Sequence, residues 1–432
     1  MDNLKHRKAS IELKLLKQDG TPVSNQEVKI SQKNHQFLFG VGGFEAVELA
    51  GGKPGAPGTT DVPYTPPGQS LAPEREKYLR EKLGKLYALS NADLGTGCNN
   101  FATLPFYIGR YEPVEGKPDD VRTKAGANWF KDQGIEVKGH PLCWHTACAD
   151  WLMNYDNATI LKKVTERIER DVSAYAGLID MWDVINEVVI MPIFDKYDNA
   201  ITRICKEYGQ VPLVKQVFEA AKKANPNSIL LLNDFDMSKD YEILIEKCLD
   251  AGIPIDVIGL QSHQHQGYWG AEKVNDVLTR FSRFGLPLHF TENTIISGDI
   301  MPKHIVDLND WQVEEWPTTP EGEERQKCEI MEMYEILFNY PKVEAITTWS
   351  GSDNAWLHAP AGFLRTDNSE KPSFIALKEK IKNEWSTNLT AKTDENGIVK
   401  LEGFKGSYEI SLADTTCFFK IDGKNDRAVI QV

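Results

Sequence analysis

Between residues 37 and 385, short apolar runs alternate with amphipathic stretches eight times. The runs fall at 37–41, 99–105, 137–142, 179–185, 228–233, 257–261, 287–291 and 345–349. Short, mostly apolar runs of this kind are strand candidates. The stretch 159–175 reads as a helix, because Ile160, Leu161, Val164, Ile168 and Val172 form one apolar stripe opposite charged residues. Residues 321–338 and 372–384 follow the same pattern. Eight alternations favour a closed (β/α)8 TIM barrel over an open doubly wound sheet, which more often has about five or six strands.

Several of these strands end in polar residues. Trp182-Asp183-Val184-Ile185 finishes in Asn186-Glu187, and Leu286-Pro287-Leu288-His289-Phe290-Thr291 finishes in Glu292. One glutamate after an apolar run is usually a solvated loop residue. Here residues 137–145, 258–263 and 345–349 carry polar tips as well, and packing alone does not require such a ring. The C-terminal rim is where α/β barrels keep their chemistry. Two glutamates on separate strand tips are what a retaining glycosidase needs, one to protonate the leaving oxygen and one to attack the anomeric carbon.

The segments WDVINE, GHPLCWH, IGLQSH, HFTEN and TTWSGSDNAWL occur in the order found in glycoside hydrolase family 10, the retaining endo-β-1,4-xylanases. The chain resembles that family from about residue 37 to 385. The resemblance implies Glu187 as acid/base and Glu292 as nucleophile, with His263 a hydrogen-bonding partner of Glu292. It implies Asn186 on the sugar 2-hydroxyl, and His145, Gln261, His263 and Trp349 lining the subsite of cleavage, with Trp356 also binding substrate. It implies no cofactor and no metal, and a xylan-type polysaccharide or oligosaccharide as the partner. The second strand departs from the family: Thr103-Leu104 stand where Glu-Asn is usual and Tyr107 where Lys is usual. Those family residues grip sugars on the non-reducing side of the cut, and Asn100 and Arg110 are the nearby candidates to replace them.

Composition limits the alternatives. The 432 residues leave room for a barrel and a small module, and 41% hydrophobic with 26% charged residues describes an ordinary globular chain. A net charge of −14 argues against nucleic acid and anionic membranes as partners, whereas neutral polysaccharide is indifferent to it. No run is long and apolar enough to span a bilayer. Met1 to Ser10 lacks a leader's hydrophobic segment, so the expectation is an intracellular protein or one whose leader has been removed. Seven dispersed cysteines imply no disulfide framework, and Cys143 and Cys148 lack a second Cys/His pair to complete a metal site.

Two loops stand out: the Gly/Pro-rich stretch 42–73, and 296–320 with Trp311 and Trp316. Such aromatics stack on pyranose rings or pin a loop to the barrel, and both readings stay open, as they do for Tyr268, Trp269 and His358. The ends read as short strands around Asp19-Gly20, Asn396-Gly397 and Lys405-Gly406 turns. They resemble parts of a carboxypeptidase-regulatory-like (transthyretin-like) β-sandwich. The expected organisation is residues 1–36 and 386–432 as two halves of one discontinuous β-sandwich, with the barrel of 37–385 inserted. A β-glycosidase of other polysaccharide specificity and a catalytically silent carbohydrate-binding protein are the alternatives; release of reducing sugar from a xylan panel separates enzyme from binder.

Overall fold

The computed structural model describes residues 4–51, 71–90 and 95–432. Their strands are, in chain order, β1 (Lys8–Leu16), β2 (Glu27–His35), β3 (Leu38–Gly42), β4 (Phe101–Pro105), β5 (Glu136–His140), β6 (Met181–Asn186), β7 (Ile229–Asp234), β8 (Val257–Leu260), β9 (His263–Gln264), β10 (Leu288–Ile295), β11 (Val343–Thr348), β12 (Asn388–Lys392), β13 (Ile398–Phe404), β14 (Gly406–Leu412), β15 (Thr415–Ile421) and β16 (Arg427–Gln431). Strands β3, β4, β5, β6, β7, β8, β10 and β11 lie side by side, all parallel, and β11 pairs back onto β3 to close a (β/α)8 TIM barrel.

Most strands begin and end within two residues of the apolar runs. The exception is β10, which continues to Ile295 because the two-residue β9 pairs with Thr294 and Ile295. Glu292 therefore sits inside a strand with backbone partners on both sides of it, which fixes its direction more firmly than a loop would. Residues 141–145 are the reverse case: β5 stops at His140, and Cys143 to His145 belong to the loop beyond it. Gly139 has no Cβ because the Trp182 indole lies against it; a Cβ there would stand 2.2 Å from the ring.

Helices cover the barrel where the sequence periodicity places them. The helix Asn157–Ala174 starts at Asp156, whose side chain accepts from the Thr159 amide at 2.8 Å, and it buries Ile160, Val164, Ile168 and Val172. Thr319 caps Pro320–Asn339 in the same way, with proline at its first position. The stretch expected as one helix over 372–384 is α-helical only through Glu379 and closes with a π turn, Lys380–Glu384. Much of the Gly/Pro-rich loop, residues 52–70, lies outside the described residues. In the 296–320 loop, Trp316 is buried with Ile296, Met301, Ala359 and Ala361, and its Nε1 donates to the Asp299 carbonyl at 2.8 Å. That indole pins the loop instead of facing substrate.

The remaining strands form two sheets. One has the order β13-β1-β16, with β1 antiparallel to β13 and parallel to β16; the other has the order β12-β2-β14-β15. A single apolar cluster draws on both, joining Leu13, Leu15 and Val399 to Ile30, Tyr408 and Ile410. The turn at Asp19-Gly20 does not make β1 and β2 a hairpin, because ten residues separate them and each strand enters a different sheet. Arg7 ties this unit to the foot of the barrel. Its guanidinium donates to the carbonyls of Phe338 (2.9 Å), Tyr340 (2.8 Å) and Val343 (2.6 Å) and lies 4.5 Å from the centroid of the Phe37 ring.

Candidate active site

Glu187 follows β6 with φ = +58°, in the left-handed region where a residue with a Cβ costs about 1–2 kcal/mol. Backbone bonds hold that turn: the Asn186 amide donates to Cys143 O at 2.9 Å and the Glu187 amide to Asn233 O at 2.8 Å. Among the described residues the side chain meets only neutral donors. Trp144 Nε1 donates to Oε2 at 2.8 Å, while Asn186 Nδ2 (3.0 Å) and Gln261 Nε2 (3.3 Å) donate to Oε1. Burial, helped by the nearby Glu292 and Asp234 carboxylates, pushes the Glu187 carboxyl up to about 8.

Glu292 is placed differently. Asn233 Nδ2 donates to its Oε1 at 2.9 Å, His263 Nε2 lies 3.1 Å from its Oε2, and His140 Nε2 lies 4.0 Å from Oε1. Burial alone would raise this carboxyl, but His140, His263 and Lys138 together hold it below the usual carboxylate range. Beneath it Asp183, fully buried, pairs with Lys138 Nζ at 2.6 Å and with His140 Nδ1 at 2.7 Å. One amide joins the two carboxyl groups: Asn233 Nδ2 also donates to Asn186 Oδ1 at 2.7 Å, and Thr291 Oγ fixes Asn233 by donating to its Oδ1 at 2.6 Å.

Of the residues singled out in the sequence, Asn186, Gln261, His263, Glu187 and Glu292 are brought into this one network. Trp349 packs 5.2 Å from the His140 ring and Trp356 4.7 Å from the His263 ring, so both border it. His145 does not join. It is buried against Phe194 (4.5 Å between ring centroids), with Nδ1 unpartnered among the described residues, because β5 ends five residues earlier and the chain has turned away. The imidazole that approaches Glu292 is the first histidine of GHPLCWH, His140. Sequence reasoning also passed over Trp144, Lys138, Asp183 and Asn233. For Asn233 the signal was present, since it ends an expected strand, whereas His140 becomes a strand tip only because β5 stops two residues short of the expected end.

Beside the network opens a cavity of about 420 Å³, bordered by Phe44, Tyr107, Arg110, Trp349 and Trp356. Tyr107 connects the two, its ring 5.6 Å from His140 and 5.5 Å from Trp144. Arg167, reaching up from the helix Asn157–Ala174, donates to the carbonyls of Leu142 and Phe106 and so steadies the loops that carry Trp144 and Tyr107. Asn100 is far from this mouth: its amide donates to the carbonyls of His35 (3.0 Å) and Phe37 (3.1 Å) and accepts from Phe39 N (2.8 Å) at the barrel's foot. Among the described residues no cluster of His, Cys, Asp and Glu could hold a metal ion.

A barrel with two carboxyl groups of opposite character on its C-terminal rim belongs to the glycosidase class of sites. The profile of glycosyl hydrolase family 10 matches residues 110–380, well over half of the chain, and the chain belongs to that family. It is 28% identical over 222 residues to an endo-1,4-beta-xylanase/feruloyl esterase of Xylanibacter ruminicola, covering 45% of this chain and 30% of that protein. To endo-1,4-beta-xylanase C of Paenibacillus barcinonensis it is 24% identical over 364 residues, covering 71% of this chain and 32% of that protein. The chain thus spans about a third of the length of these curated relatives. The solved GH10 structure from Paenibacillus barcinonensis shares the fold, with a TM-score of 0.60 at 20% identity, covering 80% of this chain and 95% of that one.

The buried Lys138–Asp183–His140 chain sets a stability test. Asp183→Asn leaves the Lys138 ammonium without its counter-charge inside the barrel, and breaking such a pair should cost about 3–5 kcal/mol. A guanidinium unfolding midpoint equal to that of the unaltered protein would show that the pair is not needed.

Proposed function

We propose that the chain is a retaining glycoside hydrolase that cleaves β-1,4-xylosidic bonds in xylan-type polysaccharide, with Glu187 as acid/base and Glu292 as nucleophile. The observation that carries this reading is the contrast between the two carboxyl groups: Glu187 is met by the Trp144 indole and two amides, which leaves burial free to push it up, whereas Glu292 faces His263 at 3.1 Å and His140 at 4.0 Å, which hold it ionised. Glu292, ionised, attacks the anomeric carbon, and the bond to the leaving oxygen breaks as Glu187 delivers its proton to that oxygen. In the second step Glu187, now a carboxylate, takes a proton from water, and the hydroxide oxygen displaces Glu292 from the sugar. Asn186, fixed by Asn233 and Gln261, is suited to hydrogen-bond the sugar 2-hydroxyl next to the reacting carbon. Gln261, His263, Trp349 and Trp356 would complete the sugar-binding wall, and His140 takes the place that the sequence assigned to His145. The xylanase names of the relatives support the choice of xylan.

Residues 1–36 and 386–432 are proposed as one discontinuous domain around the inserted barrel of 37–385. Both neighbours of β1, and both neighbours of β2, come from beyond residue 386. Removing 386–432 should therefore make the segment 8–35 readily cleaved by protease; a protected segment would mean that the two ends are independent.

Glu292→Ala should abolish release of reducing sugar from xylan. Glu187→Ala should keep far more activity on aryl glycosides with good leaving groups than on xylan, since those need no proton. Equal losses on both substrates would remove Glu187 from the acid role. In the unaltered enzyme kcat/KM should fall as pH rises through about 8, where Glu187 loses its proton, and on the acid side only where Glu292 becomes protonated, below the usual carboxylate range. The Trp144 hydrogen bond favours the charged form of Glu187. Trp144→Phe should accordingly move the alkaline limb to higher pH, and a limb that stays put or moves down would contradict this assignment.

A further inference from the structure

We propose that the cavity beside the two glutamates is a subsite for a uronic acid, a pyranose bearing a carboxylate, carried as a branch on the xylan chain, with Arg110 as its anion receptor. The proposal rests on the reading of the chain as a xylan-cleaving enzyme. The cations around the cavity differ in one respect. Arg75 is held by Glu48 through bonds of 2.7 and 2.8 Å, and Lys82 by Glu45 and Ser352. Arg110, also in the wall, has neither a carboxylate partner nor an acceptor for its buried Nε among the described residues. Its guanidinium carbon lies 5.3 Å from the centroid of the Tyr107 ring.

A partly desolvated guanidinium with an open edge is poorly matched to a wholly neutral sugar, because hydroxyl groups cannot answer its fork of donors with charge. A carboxylate can, through two parallel N–H···O bonds. Trp349 and Trp356 border both the cleavage site and this cavity, and Phe44 and Tyr107 supply the remaining aromatic lining against which a branch pyranose can pack. A volume of about 420 Å³ falls in the range of small-molecule sites, roughly 300–1,000 Å³. Tyr107 connects Arg110 to the chemistry, since its ring borders His140, which faces Glu292, and Trp144, which bonds Glu187. A branch anchored on Arg110 would thereby fix which backbone linkage lies between the glutamates. The net charge of −14 narrows the ligand further. A polyuronide would be repelled along its whole length, whereas one carboxylate on a neutral chain meets mainly the local cation, other charges being screened beyond about 8–10 Å.

The test compares a xylo-oligosaccharide carrying one glucuronic acid branch with the same compound after reduction of the carboxyl to an alcohol. For the full chain, kcat/KM should favour the acidic compound at least about tenfold, as expected for a charge-assisted bidentate contact, with the ratio shrinking as salt is raised. Arg110→Gln should bring the ratio close to one, and Arg110→Lys, which keeps the charge without the fork, should fall between. Equal rates on the two compounds, or a preference that survives Arg110→Gln, would overturn the proposal. Calorimetric titration of Glu292→Gln with the same pair reads binding without bond cleavage. Preferential binding of the acidic compound together with no hydrolysis by the unaltered protein would sink the proposed activity and leave the subsite standing. Hydrolysis of both compounds without preference in either measurement would sink the subsite alone.

Discussion

A carboxylate with no exposure to solvent lies inside the barrel, and the site is arranged around it. Asp183 would cost several kcal/mol to bury alone. It is tolerated because β5 presents Lys138 and His140, two residues apart and so on one face of the strand, to its single carboxyl group. The β5–β6 register, Lys138 beside Met181 and Gly139 beside Trp182, brings these side chains level. Once Asp183 orients His140 through Nδ1, the other ring nitrogen has one direction left to face, toward Glu292. A buried ion pair that looks structural thus sets the direction of an imidazole at the mouth.

The contrast between the two glutamates follows from what surrounds each. Glu292 is buried and Glu187 half-buried, and in both burial penalises the charged form. Glu292 is approached by two imidazoles and, at longer range, an ammonium, whereas Glu187 is met by an indole and two amides, with Asp234 adding like charge. Neutral donors offset only part of the burial cost. The Asn233 amide touches Glu292 directly and Glu187 through Asn186, so moving either carboxyl group disturbs the hydrogen bonds of the other.

The barrel was legible because its strands read as short, mostly apolar runs alternating with amphipathic stretches, and because Glu187, Asn186, Gln261 and Glu292 end such runs. Residues that look inward from within a strand were harder to see. Lys138 reads as an ordinary charged residue between Val137 and Gly139, and nothing local reveals that it has a partner on the next strand. The choice between His140 and His145 turned on where β5 stops, and strand ends are set by neighbouring strands as much as by composition. The same limit applies to the terminal sheets: alternation shows which side chains face a core, but not that β1 would lie between β13 and β16. Trp316 illustrates a different ambiguity, because an indole suited to stacking on a sugar is equally suited to sealing a loop.

That placement of β1 has a consequence for how the chain comes to be folded. Chains emerge from the ribosome N-terminus first, at about 5–20 residues per second, yet both strands that flank β1 lie after residue 397. While the barrel is being made, β1 has two unpaired edges and an apolar face without the strands that cover it. Exposed edges of this kind invite pairing with other chains. Lysines at positions 8 and 14 and glutamate at 12 lie along the strand, the pattern of charge that discourages such contacts. Segments made after the barrel are therefore the ones that close a strand made before it, and a nascent chain halted between the two would retain its barrel strands while leaving β1 exposed to aggregation.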